Sequence, residues 1–332
     1  MLRIAVIGLG ALGARAARQL ASTPAVDAVL VHDVVGDRRQ GVVDSIGQRA
    51  GLFPADGSPA GLCEAVVLAL PAGRHTGAAR RFLDAGIPIV SASDAIVDVE
   101  GLLDLDSEAR EREVTIAVGA GFSPGFTCVL ARHGAVGFDR VEEIHVSKVG
   151  TGGPACARQH HHALAGRAID WRDGGWVERR GGSGRELCWF PDPVGPRDCY
   201  RAALPDALLL VRAFPGVERV TARVAANRRD RVTARVPMLR RPHAEGGPGA
   251  VRVEVRGTQG RSSAARVLGA MDRPAMAAGA VAAVTAVLAA QRRLGRSGAA
   301  GLAELAEPLP LLAELAQRGI KAAVFEGAER QS

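Results

Sequence analysis

The stretch Arg3-Ile4-Ala5-Val6-Ile7-Gly8-Leu9-Gly10-Ala11-Leu12-Gly13 passes from an apolar, strand-like run into three glycines spaced G-x-G-x-x-G, and a helical pattern over 14–21 follows. Each glycine has a task in such a turn. Gly8 permits the tight bend, Gly10 lets the backbone approach a pyrophosphate, and Gly13 lets helix and strand pack closely. The helix that follows presents free N–H groups to the phosphates, so Gly8, Gly10, Ala11, Leu12 and Gly13 are the expected phosphate loop of a bound dinucleotide. A second strand, 26–32, leads to Asp33, twenty residues beyond Gly13. A carboxylate there accepts the ribose hydroxyls of NAD and repels a 2′-phosphate, whereas Arg38 and Arg39, just beyond, can reach such a phosphate. NAD or NADP is therefore expected, with NAD favoured.

Outward from this unit the alternation continues. Residues 65–70 read as a strand, 72–85 as a helix, 87–91 as a strand, 98–112 as a helix and 114–118 as a strand. Strands alternating with helices imply a doubly wound parallel sheet with the ligand crevice at the strand carboxyl ends. Beyond the glycine-rich segment 119–125 and a helix over 126–135 the pattern changes. Extended segments at 141–149, 219–226, 231–236 and 251–257 imply an α+β half with a largely antiparallel sheet. Between them, 171–200 holds all three tryptophans among many Gly and Pro residues and reads as loops around a site. An alanine-rich helix over 274–293 and a proline-interrupted one over 301–318 close the chain. The expected division is a nucleotide domain at 1–124, a substrate and dimerisation domain at 125–268, and C-terminal helices at 269–332 that return to the nucleotide domain.

A chain of 332 residues has room for two cores. No apolar run reaches membrane-spanning length, and the first residues already read as strand, so no membrane span or signal peptide is expected and the location is expected to be cytoplasmic. The formal charge of +7 is carried almost wholly by arginines mixed with acids, without a basic tail or stripe. That distribution argues against nucleic acid as partner and suits an anionic cofactor and a carboxylate-bearing substrate. Five cysteines without C-x-x-C spacing imply reduced thiols and neither a disulfide framework nor a zinc site.

With the glycine fingerprint, the Gly121-Phe122-Ser123-Pro124-Gly125 loop, the Gly152-Gly153-Pro154 turn and Asp173-Gly174-Gly175-Trp176-Val177 in view, the chain resembles the saccharopine dehydrogenase-like oxidoreductases. The resemblance spans most of the chain in order. It departs where Pro154 replaces an expected Thr and where Ser123 stands in place of the acid of a G-F-D-P-G loop. It implies a Rossmann half, a homodimer formed through the second sheet, and hydride transfer between NAD(P)H and the carbon–nitrogen bond of an amino-acid-derived imine or opine. It also implies that Leu70 and Pro71 pass the nicotinamide ribose.

Ser91 and Ser93 end the next strand and offer hydroxyls to a cofactor, although Ser93-Asp94 also reads as a helix cap. Gly121 and Phe122 are expected at the cofactor, and Ser123, Pro124 and Gly125, with Pro124 at an early helical position, at the substrate. Gly152, Gly153, Arg158, Trp176 and Arg201 complete the expected substrate shell, and Asp206, Trp189 and Tyr200 are candidates to shape it. Imine reduction needs a proton donor near nitrogen. Lys148 and Lys321 are the only lysines among many arginines, and Lys148 ends a strand just before a glycine turn. It is the first catalytic candidate. His160-His161-His162 lie on a helix, where consecutive residues point apart, so they cannot share a metal and none is expected. His161, with Arg158 a turn away, is the second catalytic candidate. Two other readings compete: a Gfo/Idh/MocA-like sugar or polyol dehydrogenase, whose Glu-Lys-Pro motif is not found at Ser91-Ala92-Ser93-Asp94, and a nucleotide-binding sensor or scaffold without turnover.

Overall fold

The computed structural model describes residues 1–238 and 241–325. The first half comprises β1 (Arg3–Ile7), α1 (Ala11–Ala21), β2 (Ala28–His32), α2 (Gly36–Ile46), β3 (Ala50–Leu52), β4 (Ala65–Leu68), α3 (His75–Asp84), β5 (Ile89–Ser91), α4 (Ile96–Leu103), α5 (Asp106–Glu111) and β6 (Thr115–Ala117). Then come α6 (Phe126–Gly134), β7 (Arg140–Val149), α7 (Pro154–Ala165), β8 (Arg167–Arg172), β9 (Gly175–Arg180), β10 (Glu186–Trp189), β11 (Pro196–Arg201), α8 (Asp206–Ala213), β12 (Arg219–Ala225), α9 (Arg228–Thr233), β13 (Gly249–Gln259) and β14 (Ser262–Asp272). The chain closes with α10 (Pro274–Ala290), β15 (Gly298–Ala300), α11 (Leu302–Leu305), α12 (Pro308–Gln317) and β16 (Ala322–Phe325).

The first sheet has the order β3-β2-β1-β4-β5-β6-β15, and every pairing in it is parallel. The order reverses between β1 and β4, the switch point at which α/β sheets hold their ligands. β1 and β4 are almost wholly apolar because helices cover both faces of the sheet. The second sheet runs β10-β11-β12-β7-β13-β14-β16, with the β8–β9 hairpin paired to β12, and among the described residues its only parallel pair is β12 with β7.

Most of the C-terminal segment returns to the first sheet, but the expectation that all of it does is corrected at β16, which pairs with β14 of the second sheet. β15 extends the first sheet beside β6, and α10 lies along α1 and over β4 and β5. Small residues permit this. A methyl group on Gly279 of α10 would stand 2.7 Å from Arg15 Cβ and 3.0 Å from the Ala16 amide of α1. Alanine all round α10 therefore reflects burial on every side, not amphipathic packing. No described helix is long and apolar enough to cross a membrane.

Several local expectations are corrected. Residues 231–236 do not form a strand: α9 occupies Arg228–Thr233, because Asn227 and Asp230 form a reciprocal capping box that outweighs the β-branched Val232 and Thr233. The segment 171–200 is not loop but the end of β8, all of β9 and β10 and most of β11 with their turns, and Cys188, Cys199 and Tyr200 lie buried on those strands. The helix expected over 98–112 is two helices that separate at Asp104 and Leu105. The one expected over 301–318 is interrupted before Pro308, as its prolines imply, but Pro308 opens α12 and Pro310 does not break it. β14 and α2 were not anticipated. β14 returns along β13 through the two-residue loop Gly260-Arg261, whose first position has φ +62° and so favours glycine.

A methyl group on Gly13 would lie 1.8 Å from the Gly8 carbonyl oxygen. Gly13→Ala is expected to destabilise the fold by about 1–3 kcal/mol, as overpacking does. Thermal denaturation checks this, and an unchanged Tm would remove the close-packing role of this glycine.

Candidate active site

Gly8 adopts φ +94°, and a side chain on it would strike the Ala69 carbonyl at 2.4 Å. Gly10 differs: nothing lies within 4 Å of where its Cβ would stand. The loop is thus closed against β4 at Gly8 and Gly13 and open at Gly10. No side chain caps α1, so its first-turn amides remain free to face an anion. A pyrophosphate fits this cradle. Asp33, 6 % exposed, accepts the Leu9 amide at 2.7 Å through Oδ2 and the Val35 amide at 2.8 Å through Oδ1. Arg39 donates to the Asp33 carbonyl, and the exposed Arg38 guanidinium stands 3.8 Å from Oδ2. Asp33 therefore ties the glycine loop to the start of α2, with the exposed Arg38 paired to it at the rim.

The segments after β4 and β5 are laced together. His75 donates from Nε2 to the Leu70 carbonyl at 2.9 Å, a geometry that leaves Nδ1 to accept from Ser91 Oγ at 2.9 Å. Burial lowers the pKa of this histidine, which is consistent with a neutral ring. Asp98 accepts the Gly73 and His75 amides and the Ser93 hydroxyl. Ser91 and Ser93 thus spend their hydroxyls on holding the crevice wall, while Pro71 is exposed beside it.

Lys148 comes from the second sheet and meets this edge. Its Nζ donates to the Ser123 carbonyl at 3.1 Å and stands 3.9 Å from Asp94 Oδ2. The same Oδ2 faces His160 Nε2 at 3.0 Å and Cys156 Sγ at 3.5 Å. Asp94 follows β5 and Ser123 follows β6, so the cluster lies at the carboxyl edge of the first sheet. Burial alone would raise the Asp94 carboxyl. The hydrogen bond from His160 and the charge of Lys148 prevail and bring it down to about 2. Burial first, and Lys148 second, lower the pKa of His160. Cys156 is pushed up to about 12 by burial and by the Asp94 charge, so it is a thiol at neutral pH.

Behind Ser123 lies Asp206, fully buried at the start of α8. It accepts from Ser123 Oγ at 2.9 Å and from Thr127 Oγ1 at 2.8 Å, and burial raises its carboxyl. Within the same loop the Gly121 amide is consumed by the Gly119 and Pro124 carbonyls and the Phe126 amide by the Gly121 carbonyl. These two amides are therefore not free to face a ligand. Pro124 also lies outside α6, whose N-cap is Gly125. Phe122 stacks on Phe126 with ring centroids 6.1 Å apart.

The expected residues are therefore divided by the fold. Gly8 to Gly13, Leu70, Ser91, Ser93, the 121–125 loop and Lys148 converge on one crevice. Gly153 joins them, since a methyl group on it would stand 2.8 Å from Ala11 Cβ; Gly152 beside it packs on Ala275. His161 does not join: it is turned to the Val236 carbonyl at 2.9 Å, and its neighbour His160 holds the site position. Arg158 is exposed on α7. Arg201 pairs across the sheet with Arg223, and Arg223 with Ser147, which puts Arg201 on the face opposite to Lys148. There it binds Asp170 at 3.1 Å. Trp176 packs edge-on against Trp171, which is level with Val220 and hence with Ile144, four residues or about 13 Å before Lys148 along β7. Asp94, Cys156, His160 and Thr127 were not among the expected site residues. For His160 the signal was present: Ala157, Ala163 and Leu164 mark the buried stripe of α7, and residue 160 lies on it.

A parallel sheet with a reversal at the glycine loop and a mixed sheet that contributes Lys148 to its carboxyl edge make up the fold. No family model matches the chain. Among solved structures it is similar to saccharopine dehydrogenase (L-Glu forming) from Saccharomyces cerevisiae, with a TM-score of 0.71 at 12% identity over 98% of this chain and 100% of that one. It is also similar to a DAP dehydrogenase of C. glutamicum in complex with DAP (TM-score 0.52, 15% identity, 93% and 95% covered). A Corynebacterium glutamicum myo-inositol dehydrogenase gives a TM-score of 0.51 at 14% identity, with 99% and 100% covered. The chain thus has a saccharopine dehydrogenase-like fold.

Asp94 has its carboxyl lowered from an ordinary 3.8 to about 2, so its stabilising contribution is present at neutral pH and is lost as pH falls through that interval. Asp94→Asn is expected to cost about 2 kcal/mol at pH 7, and the difference from the parent protein should shrink towards pH 2. Denaturant unfolding at several pH values checks this. A pH-independent difference would detach Asp94 from the charge of Lys148.

Proposed function

We propose that the chain is an NAD(P)-dependent oxidoreductase that transfers hydride to or from the carbon–nitrogen bond of an amino-acid-derived imine or opine-like substrate. The observation that carries this reading is Lys148. One of two lysines in the chain is buried, paired with Asp94 and seated at the carboxyl edge of a dinucleotide-type sheet.

The open backbone at Gly10 and the uncapped start of α1 would hold the pyrophosphate, with Asp33 and Arg38 at the adenosine end. The bound dinucleotide supplies the hydride, or receives it in the reverse direction. The chain supplies position and charge. As hydride reaches the imine carbon, the C=N electron pair moves to nitrogen and takes a proton from Lys148 Nζ, giving the amine and a neutral lysine that is reprotonated from water. Asp94 holds Lys148 in place, and His160 fixes Asp94. A substrate carboxylate suits the arginine-rich surface of the chain.

Fluorescence titration with NADH and with NADPH, followed by an assay on a panel of keto acids with amino acids and of polyols, tests the proposal. Micromolar binding of either cofactor and turnover on the keto acid and amine combinations are expected. Lys148→Met should lower turnover about 10²-fold or more while leaving cofactor affinity unchanged. Gly10→Val should abolish cofactor binding with little change in Tm, since its Cβ meets nothing within 4 Å. Turnover on polyols alone would favour the sugar dehydrogenase alternative, binding without any turnover the sensor, and absence of binding would remove the reading altogether.

A further inference from the structure

Cys156 and His160 lie one turn apart on α7 and so share a face, and Asp94 approaches that face from the loop after β5. Their donor atoms form a triangle: Sγ to Nε2 3.5 Å, Sγ to Asp94 Oδ2 3.5 Å, and Nε2 to Oδ2 3.0 Å. A tetrahedral zinc ion with ordinary Zn–S, Zn–N and Zn–O bonds sets its S–N and S–O edges at about 3.5 Å and its N–O edge at about 3.3 Å. The triangle has the size of one face of that tetrahedron, and only the N–O edge must open, by a few tenths of an ångström.

We propose that Asp94, Cys156 and His160 form a three-ligand site for a divalent transition metal of the zinc class. The donor set is one soft sulfur, one imidazole and one carboxylate, which suits zinc and excludes the oxygen-demanding magnesium and calcium. The His160 side chain is 8 % exposed and the Asp94 side chain 23 %, so the donors are held largely out of bulk water. Three protein ligands leave a fourth position for water or a substrate atom, the arrangement of catalytic rather than structural zinc. On binding, the thiol proton of Cys156 leaves to solvent and the His160 proton moves from Nε2 to Nδ1, so that sulfur and nitrogen each present a lone pair. Asp94 then shares its charge between the ion and Lys148. The expectation of no metal rested on the three adjacent histidines and on cysteines without C-x-x-C spacing; the donors the fold assembles are one of those histidines, one of those cysteines and Asp94.

The inference does not rest on hydride transfer, and its test reads the ion directly. The full-length protein, freed of metal with a chelator and reduced, is titrated with Co²⁺ and then with Zn²⁺. One equivalent of Co²⁺ should give the intense visible bands of tetrahedral cobalt together with a thiolate-to-cobalt charge-transfer band, both abolished by one equivalent of Zn²⁺. Cys156→Ser should remove the charge-transfer band. His160→Gln and Asp94→Asn should each weaken binding about tenfold or more, and the double change His161→Ala, His162→Ala should leave it intact. A pale octahedral spectrum, no binding, or an unchanged charge-transfer band in Cys156→Ser would overturn the proposal. NADH titration of the same samples reports separately on the dinucleotide site.

Discussion

A buried lysine must be paired, since an isolated charge taken out of water costs far more than a fold can supply. The contact between Lys148 and Asp94 meets this need, and it is made across the seam between the two sheets. Lys148 belongs to the middle of the second sheet, Asp94 to the loop that leaves the first. The pair therefore does more than neutralise: it joins β7 to the carboxyl edge at which a dinucleotide is expected. Ser123 reinforces the seam, its carbonyl accepting a hydrogen bond from Lys148 and its hydroxyl donating one to Asp206.

The rest of the molecule positions this seam. Glycine at 8 and 13 brings α1 against β1 and β4, and glycine at 279 brings α10 onto α1, so the helices beside the crevice are held at backbone distance. Gly153 repeats the device from the second half by packing on Ala11. α7 starts from that turn, which fixes the direction in which Cys156 and His160 project. In each case a missing side chain sets the spacing, and the polar cluster exploits the spacing so set.

The first half was legible because its signals are local. The spacing of Gly8, Gly10 and Gly13, the strand before and the acid at 33 lie within one supersecondary unit. Lys148 was legible through its chemistry, one of only two lysines among many arginines, at the end of a strand. Asp94 was not, because its partners are 54 and 66 residues away and its local context reads equally as a cap. His161 was chosen over His160 although one residue turns the side chain by about 100° around a helix. Trp176 was drawn towards the site by the motif at 173–177 and Arg201 by its aromatic segment, whereas strand pairing places Trp176 near the level of Ile144, well before Lys148 along the sheet, and Arg201 on the opposite face. Similarly, Val232 and Thr233 pointed to a strand, and only the Asn227–Asp230 cap shows why the segment is helical.

The most direct measurement is a crystal structure of the protein with NADH or NADPH bound. The account predicts the pyrophosphate over Gly10 and the first turn of α1, with the nicotinamide ring against the loops of Asp94 and Ser123 and its C4 face towards Lys148. A dinucleotide seated with its nicotinamide away from Lys148, or a ligand bound on the outer face of the second sheet with the Gly10 cradle empty, would contradict it.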